Sequence, residues 1–179
     1  MWSRMLVSII HILYFAAATL ASTCPTPTDV GNSSTIWTTA VADTTVFKCQ
    51  NFSWIASRNG SALFAMRFRN DPYSWYVDDV SILSGSTEML VNGGFETGSL
   101  SPWVRTEPNG TCNGTKATVR NSSGVARTGN YGLWDGSNGC FDQVTQNFSV
   151  ATGRQYLISF WLKSTNTSTN GIFASFSIV

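Results

Sequence analysis

Three carboxylates are candidates for a chemical role, either as acids in catalysis or as ligands of a metal ion. Asp78 and Asp79 are adjacent within the stretch SWYVDDVSIL, and Glu96 lies in the glycine-rich stretch NGGFETG. Two carboxylates about 5–10 Å apart across a cleft can hydrolyse a glycosidic bond, whereas several carboxylates around one point can bind calcium. Adjacent residues of a strand point to opposite faces. Turn formation or cation binding is therefore a better interpretation of these acids than catalysis.

Other catalytic machinery has little support in the sequence. The only histidine is His11, which lies in an apolar N-terminal segment. Without it, the chain lacks the Ser-His-Asp and Cys-His arrangements and the usual imidazole metal sites. We therefore expect no enzymatic activity.

Residues 1–22 have the order of a secretory signal peptide. Arg4 precedes an apolar run from Leu6 to Leu20, and small residues follow. The run is about 15 residues long, short of the ~20 that span a bilayer. We predict cleavage near Ala21 to Thr23, a secreted extracellular protein, and no stable membrane anchor.

The remaining segment, 23–179, suits one domain with its own core. The chain has 11 Lys and Arg against 10 Asp and Glu, so removal of Arg4 leaves a net charge near zero. Nucleic-acid partners normally require a basic excess or stripe. The composition therefore predicts no nucleic-acid partner.

Four cysteines follow the leader: Cys24, Cys49, Cys112 and Cys140. None has C-x-x-C spacing, which disfavours zinc and thioredoxin-like chemistry. An even number behind a signal peptide indicates two disulfides. Four cysteines allow three pairings, and we favour Cys24–Cys49 with Cys112–Cys140 because each bond then closes a short loop.

The chain is also rich in sequons for N-linked glycosylation, which indicate exposed positions in a secreted protein. The N-x-S/T pattern occurs at Asn32, Asn51, Asn59, Asn109, Asn113, Asn121, Asn147 and Asn166.

Alternation of apolar and polar residues predicts strands rather than helices. In 62–70, Phe64, Met66 and Phe68 alternate with the outward Arg67 and Arg69. Residues 155–163 alternate in the same way, and this alternation places Trp161 on the more polar face. Shorter runs predict strands at 146–150 and near the C-terminus. In 74–83, the alternation groups Tyr76 and Asp78 with Val80 and Ile82.

Turn-forming residues separate these runs. We predict loops at 106–130 and 163–171 and a tight turn at Trp134-Asp135-Gly136. Many short strands with turn signals between them predict an all-β sandwich or jelly roll.

NGGFETG with a following Trp, the strand GRQYLISFWLK, and WYVDDVSI together resemble carbohydrate-binding modules of the CenC type. Those modules are jelly rolls of the galactose-binding-like superfamily. In that family the NGGFE-like stretch opens the module and the DDVS-like strand closes it, which is the reverse of the order here. The chain is then either a circular permutant or the end of one module followed by the start of another. We favour the permutant, with 35–84 as the closing strands and 90–179 as the opening strands.

The resemblance implies a structural calcium ion (Ca²⁺) where the two ends of the module meet. Glu96 and Asp79 or Asp78 would supply carboxylates, and an oxygen near Asn92 or Gly94 would add to them.

The resemblance also implies a secreted, non-catalytic protein that binds an oligosaccharide or polysaccharide. Sugar recognition combines exposed aromatic faces with planar polar groups. The candidates are Trp161, Arg67 and Arg69 on predicted strands, and Tyr73, Trp75, Trp103 and Trp134 in predicted loops or strand ends. The alternatives are a structural or adhesive extracellular sandwich without a sugar site, and a module that binds a protein ligand.

Overall fold

The computed structural model describes residues 23–41, 45–165 and 171–179, and over these residues it is all-β. The predicted signal peptide and the sequon at Asn166 lie outside the described residues. The described residues form twelve strands: β1 (Thr28–Asp29), β2 (Thr35–Thr39), β3 (Lys48–Ile55), β4 (Gly60–Asn70), β5 (Trp75–Ser84), β6 (Thr87–Glu88), β7 (Val104–Thr106), β8 (Asn113–Arg120), β9 (Gly132–Asn138), β10 (Asp142–Val150), β11 (Gln155–Ser164) and β12 (Ile172–Ile178).

The strands form two sheets that pack as a sandwich, which confirms the predicted fold class. The seven-stranded sheet has the order β1-β3-β11-β5-β9-β8, with β6 paired to β5. The five-stranded sheet has the order β2-β12-β4-β10-β7. The short β1 pairs with β3 in parallel, and the other described pairs are antiparallel.

Alternating apolar residues build the core between the sheets. Phe64, Met66 and Phe68 of β4 are fully buried, as the period of two predicts. Phe160 of β11 and Phe176 of β12 stack face to face across the two sheets, with their ring centroids 3.5 Å apart. Each such side chain contributes about 1.5–3 kcal/mol of hydrophobic stabilisation when it is removed from water.

Segments 35–84 and 90–179 share both sheets. In the five-stranded sheet β4 lies between β12 and β10, and in the seven-stranded sheet β5 lies between β11 and β9. Neither segment therefore forms a separate pair of sheets. The permuted order of the strands stays a prediction from the resemblance.

Both disulfides have the predicted pairing. Cys24–Cys49 ties the chain before β1 to β3, and Cys112–Cys140 ties the start of β8 to the loop before β10. Two disulfides in a chain of this size indicate folding in an oxidising environment.

Three local predictions were wrong. Trp134-Asp135-Gly136 is part of strand β9 rather than a turn, and the predicted loop 106–130 contains strand β8. In β5, Trp75 and Val77 are buried, whereas Tyr76 is only partly buried. The alternation fails there because Asp79 has a positive φ of 48°, and the pairing of β5 with β11 shifts register beside it.

In the part of the chain that the structure describes, no helix is long and apolar enough to cross a membrane.

Candidate functional site

The strand with the paired aspartates and the glycine-rich corner are neighbours in space. The backbone N–H of Val80 donates to the carbonyl of Gly93 at 3.0 Å. A Cβ on Gly93 would overlap the carbonyl of Val80, so only glycine permits this approach. The two segments are therefore in direct contact, as predicted.

The bulge in β5 turns both aspartates toward one loop, contrary to the expectation that they lie on opposite faces. Asp78 accepts hydrogen bonds from the backbone N–H groups of Arg127 (2.7 Å) and Thr128 (3.2 Å). Asp79 accepts from the Arg127 guanidinium at 2.7 Å and from the Thr128 hydroxyl at 2.6 Å. Both carboxylates therefore hold the same two residues of the loop between β8 and β9.

Burial raises the pKa of Asp78 to about 6. The hydrogen bond from the Arg127 amide opposes this shift, and the charge of Asp79 adds to it.

Glu96 holds the same loop a few residues further on. Its carboxylate accepts from the backbone N–H groups of Asn130 and Tyr131, with the closest distance 2.9 Å to Tyr131. Gly129 has a positive φ of 63°, and a Cβ there would overlap the Glu96 carboxylate. We call residues 121–131 the strap, because the three carboxylates fasten it to β5 and to the glycine-rich corner.

Asn92 organises the glycine-rich corner itself. Its amide donates to the carbonyls of Ser99 and Ser101 at 2.9 and 3.0 Å, and its side-chain oxygen accepts from the Thr97 amide. Its backbone carbonyl accepts from the Trp103 indole at 3.0 Å. These bonds fix the turn, so the Asn92 side chain points into its own corner.

In this arrangement, protein donors bind the carboxylates that the resemblance assigns to calcium. The carboxylate oxygens of Asp78, Asp79 and Glu96 already accept bonds from N–H groups, a hydroxyl or a guanidinium. Among the described residues there is no group of three or more His, Cys, Asp or Glu side chains that could hold a metal ion. Calcium binding stays a prediction from the resemblance.

Burial removes two of the predicted sugar contacts. Trp75 and Trp103 are core residues, and each indole N–H donates to backbone carbonyls inside the protein. Trp103 also packs against Phe64 and Phe95. Their rings therefore face the interior rather than a ligand. Tyr73 is exposed in the turn before β5.

Two other predicted aromatics lie on the outer face of the seven-stranded sheet, but arginine side chains cover them. The Arg127 guanidinium lies 3.5 Å from the centre of the Trp161 ring, and Trp161 is only 5% exposed. The Arg120 guanidinium lies 3.6 Å from the centre of the Trp134 ring. A sugar could stack on either indole face only after the arginine moved.

Lys163 belongs to the same face. Its ammonium group donates to the Gly124 carbonyl of the strap and lies within 4.7 Å of the ring centres of Phe47 and Tyr76. Burial lowers the pKa of Lys163. Lys163 of β11 therefore also fastens the strap to the outer face of the seven-stranded sheet.

The two predicted arginines lie on the outer face of the five-stranded sheet. Arg67 is exposed and donates to the side-chain oxygen of Gln143 at 2.6 Å, and the Gln143 amide donates to the Thr106 hydroxyl at 3.3 Å. Arg69 is held by Asp71, with a shortest N–O distance of 2.6 Å.

Cross-strand register extends this pair into a row across the whole sheet. Ser175 of β12 is the partner of Arg67 on one side and of Thr38 on the other, and Gln143 is the partner of Arg67 and of Thr106. We call Thr38, Ser175, Arg67, Gln143 and Thr106 the polar row. With strands about 4.8 Å apart, the row is about 19 Å long.

A groove of about 420 Å³ lies beside one half of the polar row. Hydroxyl side chains and Arg67 line it together with apolar carbon surface, and Phe173 supplies an aromatic ring. The Phe173 ring is fixed by an edge contact with Phe141, at a centroid distance of 4.7 Å. The lining residues are Ser34, Thr35, Thr38, Arg67, Phe173, Ser175, Ser177 and Val179.

A second pair of acids was missed by the sequence argument. Asp135 of β9 is 1% exposed and Asp142 of β10 is 0% exposed. The two strands belong to different sheets, and both side chains point into the space between the sheets. Asp142 accepts from Arg105 at 3.0 Å and from the Ala117 amide at 2.6 Å, and Ser137 donates to Asp135 at 2.8 Å. Asp135 lies two residues after Leu133, so alternation along a strand places both side chains on the same, buried face. This alternation could have been read from the sequence.

Burial raises the pKa of Asp135 to about 7. The Ser137 hydroxyl opposes this shift, and the charge of Asp142 adds to it. A carboxyl group with such a pKa could act as a general acid or base. Both acids are enclosed, however, so a substrate does not reach them in this arrangement, and the network supports the fold.

No family model, no curated protein and no solved structure matches this chain. The functional conclusion therefore depends on the geometry of the chain itself.

Proposed function

We propose that the protein binds carbohydrate, without catalysis, on the outer face of the five-stranded sheet. The observation that carries this proposal is the polar row and its neighbouring groove. Arg67 and Gln143 present planar donor and acceptor groups whose directions are fixed by their mutual hydrogen bond. Planar groups of this kind can bind vicinal hydroxyls of a sugar with defined geometry.

The aromatic contribution comes from Phe173 rather than from tryptophan. Its ring lines the groove and is the cross-strand neighbour of Arg69. The apolar C–H face of a pyranose can pack on this ring while its hydroxyls reach Thr38 and Arg67. The length of the row, about 19 Å, suits an extended glycan that crosses the strands rather than a single monosaccharide.

Rigidity supports the same proposal. The row lies on strands whose opposite faces are packed in the core, so the polar groups are held in place before a ligand arrives. A preformed site loses less conformational entropy on binding than a mobile one.

The test is binding of the purified protein to a panel of plant, fungal and animal polysaccharides by glycan array and affinity electrophoresis. Loss of a charge-assisted hydrogen bond is worth about 1.5–3 kcal/mol, so Arg67→Ala should weaken binding by roughly tenfold or more. Arg58→Ala is the matched control, because Arg58 is exposed and, among the described residues, donates only to the nearby Ser61 carbonyl, at 3.5 Å. Equal binding by both variants would exclude the polar row as the site.

One observation favours a second candidate, a structural or adhesive sandwich without a sugar site. Each tryptophan predicted to contact sugar is either buried or covered by an arginine. Absence of binding across the whole panel by correctly folded protein would support this second candidate.

A further inference from the structure

A second groove on the five-stranded sheet is apolar and partly open to water. Val91 and Val104 are 62% and 58% exposed, among the largest exposures of any large hydrophobic residue in the described chain. Together with Leu63 and Pro102 they line a hollow of about 330 Å³. We call this hollow the valine groove. Single exposed valines are ordinary, whereas two in one concave surface provide a small apolar contact area for a ligand.

The valine groove is held in a fixed shape. The Gln146 side chain binds Val91 at both of its backbone groups: the Val91 N–H donates to Gln146 at 2.7 Å, and the Gln146 amide donates to the Val91 carbonyl at 2.9 Å. The Thr145 hydroxyl donates to the Val104 carbonyl at 3.2 Å. The two valines are therefore presented by the fold rather than exposed by a loose loop.

Asn147 stands at the wall of this groove and begins the sequon Asn-Phe-Ser. It is exposed on β10, Phe148 anchors the strand in the core, and Ser149 is exposed. Its amide makes no hydrogen bond with another described residue. In contrast, the Asn51 amide donates to the Pro25 carbonyl, and the Asn59 oxygen accepts from the Thr152 amide, both at 2.9 Å.

We propose that Asn147 carries an N-linked glycan whose first N-acetylglucosamine lies in the valine groove and covers Val91 and Val104. The sugar offers an apolar C–H face to the valines and hydroxyl and amide groups to solvent. A covalently attached occupant has a very high effective concentration at the groove, so even weak packing is maintained.

In this modification, the oligosaccharide is transferred to Asn147 from a lipid-linked oligosaccharide diphosphate. The bond between the Asn147 side-chain nitrogen and C1 of the sugar forms, and the bond between C1 and the diphosphate oxygen breaks. The diphosphate leaves on its lipid, and the amide nitrogen loses one proton.

The proposed position of the Asn147 glycan does not depend on the proposed carbohydrate binding. Asn147 lies four residues along β10 from Gln143 of the polar row, about 13 Å away. The glycan would therefore occupy the opposite end of the same sheet face and leave the polar row accessible.

The experiment uses protein secreted from a eukaryotic host, with glycopeptide mass spectrometry at each sequon. Ser149→Ala removes the Asn147 sequon and leaves the asparagine in place. Thr111→Ala does the same for the exposed Asn109 sequon and is the matched control. We expect Ser149→Ala, but not Thr111→Ala, to raise the fluorescence of a hydrophobic dye and to lower the Tm by about 2–4 °C.

Enzymatic trimming of the folded protein gives an independent measurement. An endoglycosidase that leaves one N-acetylglucosamine on each asparagine should keep dye binding low, whereas complete deglycosylation should raise it. In the Ser149→Ala background, Val104→Thr should reduce dye binding again. The proposal is overturned if Asn147 is unmodified, or if it is modified and the two sequon variants bind dye equally.

Discussion

The Arg127 guanidinium lies over the Trp161 ring, 3.5 Å from its centre, and the same group donates to Asp79 at 2.7 Å. One side chain of the strap thus covers an aromatic residue of β11 and binds the bulge of β5. This explains why Trp161, which the alternation of β11 places on the outer face, is nonetheless buried.

Removal of this arginine should loosen the strap and uncover the indole. We expect Arg127→Ala to lower the free energy of unfolding by about 1–2 kcal/mol, because a stacked cation–π contact and a partly exposed ion pair are both lost. Urea unfolding measures the change. Arg127→Lys keeps a positive charge near Asp79 but loses the planar stacking on Trp161. Its free energy of unfolding should therefore lie between those of the wild type and Arg127→Ala. Equal stability of the wild type and Arg127→Ala would contradict this role.

Glu96 should protect specific amides of the strap. In Glu96→Ala, the N–H groups of Asn130 and Tyr131 lose their acceptor, so we expect their hydrogen exchange to accelerate. The Arg127 amide, which donates to Asp78, should stay protected and is the internal control. The measurement is residue-resolved hydrogen exchange by NMR, and unchanged exchange at Asn130 and Tyr131 would exclude Glu96 as the anchor.

Regular alternation made much of the fold predictable. In strands β4 and β11 the residues that face the core recur with a period of two, and these faces were assigned correctly. The disulfide pairing followed from short loops along the chain. These features depend on residues near one another in sequence, where local patterns are informative.

The site was less predictable because its contacts are long-range. A bulge at Asp79 adds one residue to β5 and reverses the faces before it, and strand alternation alone does not reveal where such a residue sits. The strap residues that bind Asp78, Asp79 and Glu96 lie 34–50 positions away in sequence, so no local pattern pairs them. The polar row combines one residue from each of five strands, and its assembly requires the strand order.

Calcium gives a direct test of the metal expected from the resemblance. Because the carboxylates of Asp78, Asp79 and Glu96 are already bound by donors, we expect neither millimolar calcium nor EDTA to change the Tm. Calorimetric titration of calcium into EDTA-treated protein should likewise produce no binding heat. A calcium-dependent rise in Tm that disappears in Glu96→Gln would instead restore a metal site at this corner.

The Asp135 carboxyl should make stability fall as pH rises toward neutrality. Its folded pKa is about 7 against an ordinary value of 3.8, so between about pH 4 and pH 7 the folded protein binds more protons than the unfolded chain. The stability due to this group is greatest below that window and is lost as pH rises through it. Asp135→Asn removes the titration, so its stability relative to the wild type should increase over the window, by at most about 1.4 kcal/mol per pH unit.

Urea unfolding of both proteins at several pH values measures this difference. Ser137→Ala removes a donor that lowers the Asp135 pKa, so it should move the upper end of the window to higher pH. Stability curves of the wild type and Asp135→Asn that run parallel between pH 4 and pH 7 would show that Asp135 does not hold its proton in the folded protein. In that case the charge of the buried pair would have to be balanced by Arg105, which donates to Asp142 at 3.0 Å. Arg105→Met would then be about equally destabilising at pH 5 and pH 8, whereas a proton held by Asp135 at pH 5 would make the substitution less destabilising at pH 5 than at pH 8.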